Sequence, residues 1–491
     1  MNTSVSKRYS YMAAGFILVY TIAWTMASFL LDPSVPYDAL EALNWANNGE
    51  FGSPKNPYMV GGVTALGLLM EPVIPLSLYW YLSHFVGIGI GMLGVWLLSK
   101  RLFGENQIAL LSLMSLNLAG IINFDAIPYN DNYLLVTFWP YMFLFFVKAV
   151  YDSKYHWFSL ALVSGLAAMS KYSSFAFLPF MFLYTILVPE ARKTYRSPVI
   201  YLAGLFFLLL LMPNVVWLYK HDFAAFHWVQ SQITVGLNSK AVGALLAVFY
   251  PVMLLILILK PLGAQWVWPE TAERRAVLWV FTPPVILILG YLLTHCGGRV
   301  TEWLQPFAVL APVALFSVLD VDKVKPLRTI VISLLGFAIV AWLGYSLVMF
   351  LDLGGAGTKF NYVRRVTGDL TSLWQEKYHR PLKYVGGGQF SHWFTFYAPD
   401  RPAVAIRWSD KDKPNIYDAR VTEGDILRDG AMFISDVGAT YARTNFAEAL
   451  AVFPGIELES KQYYSFKDER GERLVVGLGW VPPGSASHRE K

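Results

Sequence analysis

Between residues 11 and 351 the chain repeats one pattern: a long apolar stretch, a short polar turn with a few charges, then another apolar stretch. A helix needs roughly 20 apolar residues to cross a hydrocarbon layer about 30 Å thick, and backbone inside that layer must satisfy its own hydrogen bonds. The pattern predicts eleven such helices, at 11–31, 73–98, 107–123, 132–150, 157–171, 174–189, 198–219, 241–260, 276–294, 303–320 and 327–351. The pair meeting at 170–174 is short and reads equally as one long, broken helix. Composition agrees, because 55% hydrophobic and only 15% charged residues are too apolar for a soluble chain of 491.

Basic residues set the expected orientation, since cytoplasmic loops retain Lys and Arg. With the N-terminus inside, the cytoplasmic turns carry Lys7, Arg8, Lys100, Arg101, Lys154, Arg192, Lys193, Arg196, Arg274, Arg275, Lys323, Lys325 and Arg328. The opposite turns carry only isolated cations: Lys55, Lys171, Lys220, Lys240 and Arg299. The net charge of +5 is thus a topology signal, and no nucleic-acid partner is implied. The first segment follows Lys7 and Arg8 but is too long for a signal peptide and lacks a small-residue cleavage site, so it reads as an uncleaved anchor. Cys296 is the single cysteine, which excludes an internal disulfide framework.

After Leu351 the composition turns to mixed charge with Gly, Pro and short alternating apolar runs. Residues 352–491 are expected to form a small extracytoplasmic α/β domain beside the transmembrane domain 1–351. "LKYVGG", "PAVAI", "AMFISD" and "RLVVGLGWV" read as strands; "NYVRRVTGDLTSLWQEKY" and "NFAEALAVF" have helical spacing. The last residues, "PGSASHREK", read as a disordered tail.

Ionisable groups at the ends of apolar helices are costly, so chemistry is sought there first. In "SVPYDALEALNWANNGEFGSPKNP", Pro36 suits the opening of a helix, and Asp38 and Glu41, three apart, share a face while Leu40 and Leu43 are placed to meet the bilayer. Acids in a first turn also complement the helix dipole, and both readings stand. "NFDAIPYNDNYLLVTFW" places Asp125 and Asp131 in one short turn, where Asp131 also suits a helix N-cap. Lys171 interrupts the apolar "GLAAMSKYSSFAFLPF", as a functional cation or as a snorkelling one. Lys55 and Arg299 lie on the same expected side, and the rigid fork of arginine suits phosphate oxygens. His221, His227 and His295 sit in outer turns without HExxH-like spacing, as ordinary polar residues or metal ligands. No P-loop and no GxGxxG opening a helix is present, so nothing argues for nucleotide binding.

Acids to deprotonate a hydroxyl and cations to hold a departing phosphate suggest group transfer at the outer face. The chain resembles the polyprenyl-phosphate-dependent GT-C glycosyltransferases of families 39 and 83, which include protein mannosyltransferases, aminoarabinose transferase and lipid A galacturonosyltransferases. "YDALEALNWA" resembles their DExE-type first-loop motif, "GEFGSPKNPYMVGGV" the segment after it, and "FDAIPYNDNYLLVTFW" the second acidic loop. "GLAAMSKYSSFAFLPF", "MPNVVWLYKHDFAAF" and "GGRVTEWLQPFAVLAP" follow in the family's order, so the similarity spans roughly 10–320. Ala39 stands where the motif has Glu, and Asn56 where a Pro usually follows the Lys. The resemblance implies Asp38 as catalytic base, with Glu41 and Asp131 assisting, and Lys55 and Arg299 on the donor phosphate. It places Lys171 and Tyr172 near the sugar or phosphate, with Asp125 a further substrate contact. A divalent metal ion is among the cofactors it admits, with Glu41, Asp131 and His221 as candidate ligands. The implied partners are a polyprenyl-phosphate-linked sugar and a lipid or glycolipid acceptor such as lipid A or lipopolysaccharide core, at a bacterial inner membrane. A protein O-mannosyltransferase and, in another class, a lipid or sugar transporter are the alternatives.

Overall fold

The computed structural model describes residues 3–104, 106–124, 131–297, 299–351, 363–405, 421–436, 446–459, 464–467 and 473–485. They fall into two compact units. The first joins 1–26, 55–59 and 81–345; the second joins 27–54, 60–80 and 346–491.

Helices dominate the first unit. Among the described residues seven helices are long and apolar enough to cross a membrane: Lys7–Leu31, Leu76–Phe103, Asn132–Tyr151, Pro198–Lys220, Lys240–Leu259, Ala272–Thr294 and Leu327–Phe350. Two bent pairs raise the number to nine if each is one span. Beside the predicted eleven, seven to nine spans pass by length and composition among the described residues. The segments predicted at 107–123 and 157–171 form shorter apolar helices, Gln107–Leu118 and His156–Ser170. At about 1.5 Å per residue, such helices fall short of a layer about 30 Å thick.

Proline explains the bends. Tyr172–Leu187 turns by 94° into Pro189–Arg196 at Val188, which is extended (φ −90°, ψ 118°) as residues preceding proline tend to be. Val300–Val309 turns by 55° into Ala311–Val318: Pro306 opens the tighter 3-10 turn Gln305–Val309 that ends the first helix, and Pro312 lies in the opening turn of the second.

The core of this unit lies around Leu76–Phe103 and Asn132–Tyr151, which bury 67% and 72% of their apolar windows against 22–33% for the other five. Their backbones approach closely. A side chain on Gly91 would meet the Val136 carbonyl, and one on Gly87 the Thr137 hydroxyl at 2.8 Å, so small residues set the packing. At the basic end of Leu76–Phe103, Arg101 pairs with Asp152 at 2.6 Å and Glu273 at 3.3 Å, tying three helix ends together.

The second unit contains a six-stranded sheet. Tyr384–Gly387 pairs in parallel with Ala403–Ala405 and Ala431–Asp436. Arg473–Val481 runs antiparallel to Ala431–Asp436, Glu457–Leu458 and Tyr464–Lys467. Helix Val363–Tyr378 is amphipathic: Val363, Val366, Thr367, Leu370, Thr371 and Trp374 are its buried face at helical spacing. A second cluster gathers Ile426, Phe433, Phe446, Phe453 and Val481.

The same unit contains the first-loop helix, Tyr37–Asn48, ended by Gly49 in the left-handed conformation (φ 62°). Its expected bilayer-facing residues are elsewhere: Leu40 and Leu43 are fully buried, and Glu41 is 7% exposed. The helix packs against 389–397 of the C-terminal region, so protein surface rather than lipid covers its apolar face.

Candidate functional site

A break in helical structure places the central cation. Helix His156–Ser170 stops at Lys171, which is extended (φ −157°, ψ 135°), and the chain resumes in the tight turn Tyr172–Ala176. Ser174 braces the break, accepting the indole N–H of Trp139 at 2.9 Å and donating to the Ala167 carbonyl at 3.0 Å.

The Lys171 ammonium lies 2.9 Å from Asp131 Oδ2 and 3.7 Å from Glu302 Oε1, and donates to Asn132 Oδ1 at 2.9 Å. Asp131 stands at the N-cap of Asn132–Tyr151 yet makes no side-chain capping bond, so the capping alternative gives way to an ion pair. Asn132 donates to the Glu302 carbonyl at 3.2 Å and to Gln305 Oε1 at 3.4 Å, linking the second acidic loop to the late motif. Arg299 donates to Glu302 Oε2 at 3.2 Å and lies over the Trp228 ring at 5.7 Å. Asp131 and Glu302 balance Lys171 and Arg299. Desolvated charges are tolerated when paired and hydrogen-bonded in this way. Arg299 is the more open cation, 38% exposed against 13% for Lys171, and so the better placed to meet an incoming anion.

Tyr172 donates to Asn214 Oδ1 at 2.9 Å and joins an apolar cluster with Trp217, Leu218 and Ala225. His221 stacks on Trp217 at 4.3 Å, and its Nδ1 lies 2.8 Å from the carbonyl of that residue on its own helix. Among the described residues no group of three or more His, Cys, Asp or Glu converges as a metal site. Lys55 is half-buried in the first unit. Asp125 lies outside the described residues.

Asp38 and Glu41 belong to the second unit, on the first two turns of Tyr37–Asn48. No side chain caps that helix, whose N-cap is Pro36. Glu302 and Gln305 are not singled out by the sequence, and Asn132 enters it only as a possible cap beside Asp131. The signal that could have found Glu302 is its place three residues after Arg299, on the same face of a helix turn.

A polytopic membrane protein with buried, balanced charges where its helices break is the class this arrangement defines, and it resembles the GT-C glycosyltransferases. The sequence profile of the family described as dolichyl-phosphate-mannose-protein mannosyltransferase matches residues 76–217. The fold matches ArnT from Cupriavidus metallidurans bound to undecaprenyl phosphate, with a TM-score of 0.63 and 14% identity over 96% of this chain and 98% of that one. The apo state of the same protein matches with a TM-score of 0.59 and 15% identity over 95% and 98%. No curated protein sequence matches the chain.

Proposed function

We propose that the protein transfers one sugar from an undecaprenyl-phosphate-type carrier to a hydroxyl or phosphate of an envelope acceptor, such as lipid A or lipopolysaccharide core. The reaction takes place on the periplasmic face of a bacterial inner membrane, with the N-terminus cytoplasmic. The observation that carries this reading is the correspondence in fold, along nearly the whole of both chains, with an ArnT structure that holds undecaprenyl phosphate.

The chemistry follows from the residue types. Asp38 takes the proton of the acceptor hydroxyl as its oxygen attacks the anomeric carbon opposite the phosphate. The bond from that carbon to the phosphate oxygen breaks, so configuration inverts and the polyprenyl phosphate leaves with the bonding electrons. Lys55 and Arg299 meet its developing charge. In this reading Lys171 and Tyr172 line the sugar, while Glu41 and Asp131 position the reacting groups; the Lys171–Asp131 ion pair supports placing those two together.

A protein acceptor is the second reading, favoured by the mannosyltransferase profile match over 76–217. Comparing envelope lipids of a deletion strain and its parent by mass spectrometry identifies a lipid acceptor; a mass shift on protein instead selects the second reading. Accumulation of carrier on one membrane face with no transfer product would indicate a transporter. In the purified protein, Asp38→Asn abolishes transfer with normal expression, and full activity in that variant would remove Asp38 from the mechanism. A divalent ion on Glu41, Asp131 or His221 is tested by chelation: activity lost and then restored by a single metal establishes it.

A further inference from the structure

The chain enters the first-loop helix through Pro33, Ser34, Val35 and Pro36. Proline lacks an N–H, and a residue preceding proline is held extended, so this turn has few ways to satisfy itself. Val35 is 1% exposed, and its buried amide and carbonyl need partners. Both come from the C-terminal region. The Val35 N–H donates to the Tyr397 phenol oxygen at 2.7 Å, and its carbonyl accepts from the Trp393 indole N–H at 3.2 Å.

The two aromatic residues are themselves fixed. Trp393 is fully buried. Arg364 lies over the Tyr397 ring at 5.2 Å and donates to Ser77 Oγ at 3.4 Å. Burial pushes the Tyr397 phenol up to about 12, so it stays neutral. The Tyr37 ring lies 5.1 Å from that of His392 and 6.0 Å from that of Trp393. This segment is anchored to the sheet, because the Gly388 N–H donates to the Ile434 carbonyl at 2.7 Å. Gly387 before it has φ +102° and no room for a side chain against Ile434.

We propose that Trp393 and Tyr397 are positioning residues for transfer: by gripping the backbone of Val35, three residues before Asp38, the C-terminal α/β region fixes where that acid stands. The proposal rests on the reading of Asp38 as the base. Reacting groups displaced by about 1 Å can lose about a hundredfold in rate, so a clamp on the backbone acts on turnover rather than on substrate affinity.

Two variants, made singly and together, loosen the grip: Trp393→Phe removes the indole N–H and shortens the ring, and Tyr397→Phe removes only the phenol oxygen that accepts from Val35. The full chain is purified in detergent and compared with the wild type by hydrogen exchange of the peptide 32–45. Turnover is followed with the undecaprenyl-phosphate-linked sugar that the deletion comparison identifies. Faster exchange in that peptide, with kcat lowered at least tenfold and donor KM within twofold, is the expected result. Thr422→Ala, which loosens a helix elsewhere in the same unit, should leave kcat within twofold. Unchanged exchange, kcat within twofold of wild type in the clamp variants, or an equal loss of kcat in Thr422→Ala overturns the proposal. If the double variant does not fold, Tyr397→Phe, which removes one oxygen, carries the same outcomes. Full activity in Asp38→Asn sinks the reading of Asp38. An inactive Asp38→Asn beside clamp variants of wild-type kcat sinks the positioning role alone.

Discussion

At Lys171 one ammonium serves Asp131 and Asn132 at 2.9 Å and Glu302 at 3.7 Å, with little access to solvent. Removing it strands the buried Asp131 carboxylate, while Glu302 keeps Arg299 at 3.2 Å, and breaking a buried ion pair from one side costs about 3–5 kcal/mol. Lys171→Met is therefore expected to lower the melting temperature in detergent markedly. Asp131→Asn added to it removes one stranded charge, so the double variant should melt above the single one, and a further fall would contradict the pairing. Lys171 is legible in the sequence because it interrupts an apolar run, and Asp131 because it is one of two acids in a short turn between apolar helices. Their partnership is not, since 40 residues separate them and no local pattern tells which acid a cation at a break will meet. Asn132 was hidden for a related reason: its amide matters through Glu302 and Gln305, about 170 residues away in sequence.

Among single elements, helix Glu423–Asp429 shows most directly how local chemistry sets an end. The Thr422 hydroxyl accepts from the Asp425 N–H at 3.2 Å, and the Asp425 carboxylate accepts from the Thr422 N–H at 3.2 Å, closing a capping box. The Thr422 hydroxyl also donates to Asp425 and, as the largest cause, holds that carboxyl below its ordinary value. A carboxyl lowered on folding contributes stability that is present above its unfolded pKa and lost as pH falls through the folded one. Thr422→Ala should cost about 1 kcal/mol and flatten the acid limb of the stability profile, read by chemical denaturation across pH. A variant with an unchanged acid limb would mean that the box contributes nothing. Helix 363–378 was readable from its one buried face, and the strands at 384–387, 403–405, 431–436 and 473–481 as short apolar runs bounded by turn residues, two of them, 431–435 and 475–481, buried along their length. Bends at 188 and 310 were not foreseen, although the prolines were in view. Burial of Leu40 and Leu43 escaped as well, since an apolar face does not announce whether lipid or protein covers it.

For the molecule as a whole, the second unit joins segments from opposite ends of the chain: 27–54 and 60–80 with 346–491. Several contacts within it cross that sequence gap. Glu71 pairs with Arg401, Ser77 accepts from Arg364, and Val35 is held by Trp393 and Tyr397. Burial pulls the Arg401 guanidinium below its ordinary value, and without Glu71 that cation would be left half-buried and unmatched. It follows that the C-terminal region packs on Tyr37–Asn48 and covers part of its apolar face. A chain ended after Tyr345 should still insert its membrane helices, whose backbone hydrogen bonds are internal to each segment. Its residues 27–54 and 60–80 should become protease-sensitive while cleavage within 81–345 stays at the wild-type pattern. Limited proteolysis with peptide mapping reads this directly. Protection of 27–54 in the shortened chain would show that the first-loop helix is held by something other than the C-terminal sheet and its aromatic clamp.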